Sequence, residues 1–515
     1  TMKTNFTNNF VKVYFWQIIS LALNFLALFI VVPSISSNKE LYGIYTLVVS
    51  FSIFLNYADL GFIGAGKKFA AEYYANGQLL QSNRAIGFSL YFLSFFIFLF
   101  LIAFIVFGLK PDLIFNDIST SELHNISSSL FFILALSTPL ILFQQLINSI
   151  FGIRIESFIV QRINILGSLI KIFSVFYFFR EATYDIVGYF LFFQLINFLC
   201  VLIQFIVIQK RYKIKFWNLM SNIKFNKDLY NKIKPLALSG LFLNFSFILY
   251  YELDNLIIGK FFGPTNLAVY AVAFTLLNFI RSLIGIFYSP FSVRFNHFIG
   301  TGDSNKFKKL YIDLVKYSLP LFGIPIIALF IFAEPIIISW VGTNYTDSIL
   351  IFKLLIIGFL FTFISLPTSI ILNSLLRLKE LYLINIIIPL VFWIGIYFTY
   401  NEIGIASFAL FKSISFLIGA LYYLKIYLNF TNFSIFKFTK IIILPIMLPI
   451  IYLYITGSYI VYKYPINEMS YYNLLFVACS LLFVISSAFI IQILSNRDFF
   501  IFLKQKYNTL YYGEN

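Results

Sequence analysis

The chain has 515 residues, of which 60% are hydrophobic and only 11% are charged, and its mean hydropathy is +0.90. Soluble domains carry about 25% charged residues, and no water-soluble fold of this length could bury so much apolar surface. The net charge of +16 is scattered between apolar runs and forms no single basic face. We therefore interpret it as a determinant of membrane orientation and exclude nucleic acid as a partner.

A helix needs about 20 mostly apolar residues to cross a bilayer. The first apolar run is too long for a signal peptide and lacks a convincing cleavage site, so we interpret it as a retained span. Fourteen stretches meet the length requirement, and the sequence predicts an all-α polytopic membrane protein. The predicted spans are 13–36, 43–66, 86–108, 126–150, 158–180, 184–209, 233–258, 267–291, 312–333, 349–372, 381–400, 404–428, 437–461 and 470–494.

The basic residues between these spans predict the orientation of the chain. With fourteen spans both termini share one side, and that side holds most of the lysines and arginines outside the spans. The opposite side holds only Lys39, Lys110, Arg180, Lys260 and Lys463. Because cytoplasmic loops are enriched in Lys and Arg, both termini are predicted to be cytoplasmic.

The longest predicted cytoplasmic connection, 210–232, follows six spans and alternates basic residues with Phe216, Trp217, Leu219 and Met220. This pattern favours a helix on the anionic inner-leaflet surface, although a solvated basic loop remains open. The predicted organisation is two pseudo-symmetric six-helix lobes, 1–209 and 233–428, around this connector. Two further helices and a cytoplasmic tail occupy 429–515.

The two predicted lobes share a weak sequence echo. Residues 32–51 and 258–274 each read as a span end, a short turn and a Tyr that opens the next span, Tyr45 and Tyr270. Internal repeats with a substrate site at their interface are the usual plan of secondary transporters. Chance similarity between apolar segments is the alternative.

Three stretches resemble a known family. The first runs from Asn56 to Gly77 and includes the pattern Asp59-Leu60-Gly61, followed by Lys68-Phe69 and Glu72-Tyr73. The second is 254–263 with 269–273, and the third is 338–345. With the fourteen-span plan, the chain resembles the multidrug/oligosaccharidyl-lipid/polysaccharide (MOP) exporter superfamily, and within it the Wzx-type O-antigen or capsule repeat-unit flippases.

This resemblance implies two helical lobes around a central cavity and an alternating-access cycle in the bacterial inner membrane. The implied cargo is undecaprenyl diphosphate that carries a short oligosaccharide, and a polysaccharide polymerase is an expected partner. Membrane lipids surround the protein. An H⁺ or Na⁺ gradient is one candidate energy source, beside the membrane potential and removal of the cargo on the far side.

Three deep cations are the candidate cargo-binding residues. Lys171 and Arg281 lie near the centres of spans 5 and 8, and Lys412 lies in the outer third of span 12. Charges inside a membrane usually face a cavity or a partner. Arg matches phosphate with two parallel hydrogen bonds, and Lys adds a point charge. We therefore predict that these cations line the cavity and bind the diphosphate; internal ion pairs are the alternative.

Three deep acids are candidates for coupling or gating. Asp59 lies in the inner third of span 2, and Glu252 and Asp254 lie in the outer third of span 7. On a regular helix residues two apart point in nearly opposite directions, so Glu252 and Asp254 are not expected to face the cavity together. A partner or gate role is favoured over ion coupling.

Cofactors, metals and catalysis are not indicated. Cys200 and Cys479 lie in apolar runs, and His124 and His297 lie in separate loops, so no disulfide framework or metal cluster is predicted. Nucleotide-binding motifs are missing, which argues against direct use of ATP.

Three other functions are weighed against the flippase. A multidrug exporter of the same superfamily typically has an acid in its first span, which is missing here. A lipid II flippase uses arginines on helices 1 and 8, and only the second of these has a counterpart, Arg281. A membrane polymerase or glycosyltransferase would need a larger catalytic loop than 109–125, so the protein is predicted not to be an enzyme.

Overall fold

The computed structural model describes residues 2–55, 57, 61–116, 120–180, 183–214, 217, 220–496 and 498–499. Almost all of this part of the chain is helical. A short antiparallel ribbon, β1 (Phe179–Arg180) and β2 (Thr183–Tyr184), pairs Phe179 with Tyr184. The all-α membrane fold that the sequence predicts is confirmed.

The chain forms two compact units, Thr1–Ala271 and Val272–Asn515. A long helix, α10 (Gly263–Gly300), begins in the first unit and continues into the second. The helices of the first unit are α1 (Met2–Ile35), α2 (Lys39–Leu55), α3 (Phe62–Ala75), α4 (Leu79–Leu109), α5 (Ser121–Ile153), α6 (Phe158–Phe178), α7 (Ile186–Tyr212), α8 (Lys227–Phe247) and α9 (Leu253–Phe261). Those of the second unit are α11 (Ser304–Ile331), α12 (Ala333–Val341), α13 (Asp347–Phe359), α14 (Thr362–Ser374), α15 (Leu378–Ile403), α16 (Ala406–Thr431), α17 (Ile435–Phe438), α18 (Leu444–Lys463) and α19 (Tyr471–Ser495).

The described residues contain 12 helices long and apolar enough to cross a membrane, and α13 with α14 makes a thirteenth if that bent pair counts as one span. The predicted number of about fourteen is therefore close. The remaining predicted span, 43–66, is divided between α2 and α3. The protein is a multi-pass membrane protein.

Local capping residues fix where several helices begin. The Asp185 side chain accepts a hydrogen bond from the Gly188 backbone N–H at the start of α7, with 2.7 Å between N and Oδ1. Asn226 caps α8 and Asp303 caps α11 in the same way, each at 3.0 Å. Such side-chain acceptors satisfy backbone donors that have no partner inside the helix.

Gly61 permits a close approach between α3 and α8. Its φ of +80° lies in the left-handed region, and a Cβ atom there would be 2.6 Å from the Ala237 carbonyl oxygen. The buried side chains of Phe62, Phe88 and Ile233 pack together beside this contact. The first half of predicted span 7 is therefore joined to the second half of predicted span 2.

Predicted spans 7 and 10 are also less regular than a single straight helix. Predicted span 10, 349–372, is bent by 47° between α13 and α14. Predicted span 7 contains a π-helical turn, Ile248–Glu252, between α8 and α9. The predicted boundaries at 209 and 233, and at 428, stay predictions.

Candidate functional site

Arg281 lies about midway along α10 and is half-buried. Phe274, Asn278 and Arg281 follow one another at spacings of four and three residues, so they lie on the same face of α10. The side-chain oxygen of Asn278 is buried and accepts no hydrogen bond from any residue that the structure describes. A guanidinium group and a buried amide acceptor therefore lie one turn apart inside a membrane helix.

Lys412 on α16 lies over the same face of α10. Its Nζ atom is 4.6 Å from the ring centroid of Phe274 and 5.5 Å from that of Phe392. Phe274 and Arg281 are two helical turns apart, which is about 10 Å along the axis. The structure thus brings two of the three predicted cations, Arg281 and Lys412, to one side of α10.

The two cations differ in their exposure. Lys412 is only 1% exposed, whereas part of Arg281 remains accessible. Aromatic faces stabilise a buried cation because their π electrons present negative potential. In the described conformation, only Arg281 of this pair has surface that a cargo could reach.

Lys171, the third predicted cation, lies in a polar seam between α6 and α7. Its Nζ atom donates a hydrogen bond to Asn197 Oδ1 at 2.5 Å and lies 3.9 Å from the Phe193 ring centroid. Further along the seam, Gln204 Nε2 donates to Asn164 Oδ1 at 2.7 Å. Interhelical hydrogen bonds of this kind hold membrane helices together. The described contacts of Lys171 are an amide and a ring, and no carboxylate is among them.

The seam opens onto an apolar groove between α5 and α7. Asn197 Nδ2 donates to Gln194 Oε1 at 3.1 Å, and Gln194 lines the groove. The groove has a volume of about 340 Å³, and its other lining residues are Ile133, Leu136, Ser137, Pro139, Leu140, Phe143, Leu191, Leu195 and Phe198. Sequence reasoning missed this feature, because it depends on how two helices pack.

Two of the three predicted acids are buried around the π-helical turn of span 7. Glu252 ends this turn and is 2% exposed, and Asp254 follows in α9 and is fully buried. A regular helix would point these two side chains in nearly opposite directions. The π-helical turn interrupts that regularity, and both carboxylates lie inside the protein.

Asp254 joins neighbouring helices through hydrogen bonds. Its Oδ2 atom accepts from the Tyr270 hydroxyl on α10 at 2.5 Å, and its Oδ1 accepts from the Asn255 backbone N–H at 3.0 Å. Asn255 in turn donates from Nδ2 to Ser50 Oγ on α2 at 3.2 Å. The cluster therefore connects α2, α9 and α10, which fits a partner role for Asp254. The third predicted acid, Asp59, lies outside the described residues.

The predicted surface helix in the connector falls partly outside the described chain. α7 ends at Tyr212, and Lys213 adopts a left-handed conformation with φ of 55°. Lys215, Phe216, Asn218 and Leu219 are among the residues that are not described, and Trp217 is 78% exposed. The surface helix stays a prediction.

An ion-pair cluster at one end of α7 was missed by sequence reasoning. Arg211 donates from Nε and Nη2 to the two Glu156 oxygens, at 3.0 and 2.5 Å, and the Tyr212 hydroxyl donates to the same carboxylate. The Arg154 guanidinium lies 4.5 Å from the Tyr212 ring centroid. Burial raises the pKa of Glu156, but the hydrogen bonds and charge of Arg211 outweigh burial and lower the pKa below its ordinary value.

Neither a protein-family model nor a curated protein sequence matches the chain. Solved structures do match it. The lipid II flippase MurJ, in an inward-closed conformation, superposes with a TM-score of 0.66 at 17% identity, over 95% of this chain and 98% of that one. The chain shares the fold of MOP-superfamily transporters.

Two further matches agree with this fold. An inward-facing multidrug resistance MATE family transporter of the MOP superfamily has a TM-score of 0.60 at 15% identity, over 80% of this chain and 96% of its own. A MOP-superfamily transporter from Pyrococcus furiosus has a TM-score of 0.55 at 15% identity, over 83% of this chain and 96% of its own. These neighbours are flippases and transporters, and none is described as an enzyme.

Proposed function

We propose that the protein is a flippase that moves undecaprenyl-diphosphate-linked oligosaccharide repeat units across the bacterial inner membrane. The product would supply O-antigen, capsule or another surface polysaccharide, and a polysaccharide polymerase is the proposed downstream partner. Both termini are proposed to be cytoplasmic, because Lys and Arg concentrate on their side of the predicted spans.

The observation that carries this proposal is the half-buried Arg281 on a polar face of α10, in a chain whose fold matches a lipid II flippase over nearly its whole length. A diphosphate that leaves water loses its hydration, and an Arg fork replaces it with two charge-assisted hydrogen bonds. Arg281 is therefore the proposed diphosphate-binding residue. Lys171 and Lys412 supply further positive charge, which in this conformation is directed at rings and an amide.

The energy source belongs to the same proposal. Glu252 and Asp254 are proposed as gating acids, and H⁺ or Na⁺ as the ion to which this gate responds. Asn255 Oδ1 beside them is buried with no hydrogen-bond donor among the described residues. A buried oxygen acceptor next to carboxylates suits a bound cation, because cations prefer oxygen ligands. The bonds that join Asp254 to Tyr270 and Asn255 would transmit such binding to α10.

A lipid II flippase is the second candidate. The favouring observation is the TM-score of 0.66 with MurJ, against 0.60 for the multidrug transporter. Both lipid cargoes carry a diphosphate, so Arg281 would serve either. A cation-coupled multidrug exporter would need acids that face the cargo, whereas Asp254 already accepts two hydrogen bonds from the protein.

A cargo panel in proteoliposomes tests the proposal. Undecaprenyl-diphosphate oligosaccharide, lipid II and a cationic dye are each loaded on one side, and the rate at which each reaches the other side is measured with and without pH and Na⁺ gradients. We expect fast movement of the oligosaccharide lipid. Movement of lipid II alone would identify lipid II as the cargo in place of the oligosaccharide lipid. Gradient-driven movement of the dye alone would refute the proposal that the protein is a flippase.

A further inference from the structure

Lys12, in the first third of α1, and Arg162, near the start of α6, form a cationic pair. The Lys12 Nζ atom lies 5.7 Å from the ring centroid of Phe158, and the Arg162 guanidinium carbon lies 5.4 Å from the same centroid. Arg162 also lies 4.5 Å from the ring centroid of Trp16. Phe158 is buried, so it fixes the two cations on either helix against one rigid ring.

Among the residues that the structure describes, no acidic side chain pairs with Lys12 or Arg162. Arg211, in the last turn of α7, differs from this pair, because two of its nitrogens donate hydrogen bonds to Glu156. Two like charges that share one ring repel each other, and an anion between them removes that repulsion.

C-terminal to Arg162, one face of α6 carries a stripe of exposed apolar side chains. Leu166, Ile170, Phe173 and Tyr177 follow Arg162 at spacings of four, four, three and four residues, which places all of them on one helix face. Their exposed fractions are 63%, 48%, 68% and 63%. On the adjacent α1, Phe15 and Ile18 are each 58% exposed.

A cationic head followed by an exposed apolar stripe matches an anionic amphiphile. We propose that Lys12 and Arg162 bind the phosphate of an anionic membrane phospholipid, whose acyl chains lie along the exposed faces of α6 and α1. A bilayer phospholipid is favoured over the transported cargo because the stripe is exposed to its surroundings, where phospholipids are abundant. Trp16 suits this position, since Trp is enriched at the level of the headgroups. The site goes beyond the proposed transport function, and its binding does not depend on transport.

Native mass spectrometry of the purified full-length protein tests this proposal. The protein is titrated with phosphatidylglycerol, phosphatidylcholine, undecaprenyl diphosphate or inorganic phosphate, and the bound fraction is compared for wild type and for Lys12→Ala/Arg162→Ala. A juxtamembrane cation contributes about fivefold to the affinity for anionic lipid, so we expect the double variant to lose at least about fivefold in phosphatidylglycerol binding.

The matched control is Lys309→Ala/Lys379→Ala, which removes two exposed lysines near the starts of α11 and α15. We expect it to bind phosphatidylglycerol as the wild type does. Equal losses in both double variants, or none in either, would overturn the proposal in favour of diffuse surface charge. Selective binding of undecaprenyl diphosphate or of inorganic phosphate over phosphatidylglycerol would also overturn it.

Conservative variants keep the test valid if the alanine variant folds poorly. Arg162→Lys retains the charge and is expected to keep most of the binding, whereas Arg162→Gln is expected to lose it. Equal binding by these two variants, both monodisperse in size-exclusion chromatography, would contradict a role for charge at this position.

Discussion

Within the first unit, carboxylates and cations are held by different partners. Asp254 and Glu156 accept hydrogen bonds from the protein's own hydroxyl, amide and guanidinium groups. Lys171 and Arg162, in contrast, lie against aromatic rings and, for Lys171, a neutral amide. Neutral partners leave the positive charge uncancelled. The comparison teaches that Arg211 cancels the charge of Glu156 and that neutral donors satisfy the oxygens of Asp254. The positive charges of Lys171 and Arg162 stay able to attract an anion.

Removal of the Asp254 carboxylate should have the largest effect on stability. Asp254→Ala leaves the buried Tyr270 hydroxyl without its acceptor, which we expect to cost about 3 kcal/mol. Asp254→Asn retains a side-chain oxygen and should cost much less. Thermal unfolding of the two purified variants checks this difference, and equal melting temperatures would show that the acid does not hold α9 and α10 together.

Lys171 provides the reverse case, in which stability and transport should separate. Lys171→Met removes a charge that is costly in hydrocarbon and one interhelical hydrogen bond of about 1 kcal/mol. We therefore expect a melting temperature near that of wild type, together with a severalfold slower flipping rate. Gln204→Leu is the control, because it removes a seam hydrogen bond without removing charge.

If the flipping rate and the melting temperature of Lys171→Met fall together, as they do in Gln204→Leu, the role of Lys171 is purely structural. A loss of flipping confined to Lys171→Met would support the view that its uncancelled charge attracts the cargo.

The smallest expected effect concerns Glu156. Because Arg211 lowers the pKa of this carboxyl below 4.5, its stabilising contribution is complete above that value and is lost as the pH falls through the lowered pKa. Glu156→Gln should therefore lower stability by about 1 kcal/mol at neutral pH, since the pair is partly exposed. The wild-type advantage should shrink as thermal unfolding is repeated toward pH 4 and at high salt, and an advantage that grows in acid would contradict this account.

The sequence predicted the helices better than the contacts between them. Apolar runs of about 20 residues identify spans because the bilayer imposes that length. Hydropathy does not reveal the π-helical turn at Ile248–Glu252 or the 47° bend between α13 and α14, because neither changes the composition. Hydropathy also does not show that predicted span 2 is divided between α2 and α3.

The candidate site was predicted only in part. Arg281 and Lys412 could be selected as deep cations, but their approach to one side of α10 depends on how α16 packs against Phe274. The bond between Glu156 and Arg211 joins residues 55 positions apart, so no local sequence pattern predicts it. The approach of Lys12 to the Phe158 ring beside Arg162 was also missed, because it depends on how α1 packs against α6.

The central claim is that Arg281 binds the diphosphate of a lipid-linked oligosaccharide, and the most direct test is the flipping rate of Arg281→Ala in proteoliposomes. Arg294→Ala, which removes an exposed arginine from the same helix, is the matched control. A charge-assisted hydrogen bond contributes about 1.5–3 kcal/mol, so we expect flipping to fall by at least about tenfold in Arg281→Ala and to stay near wild type in Arg294→Ala. Wild-type flipping by a well-folded Arg281→Ala variant would contradict the claim.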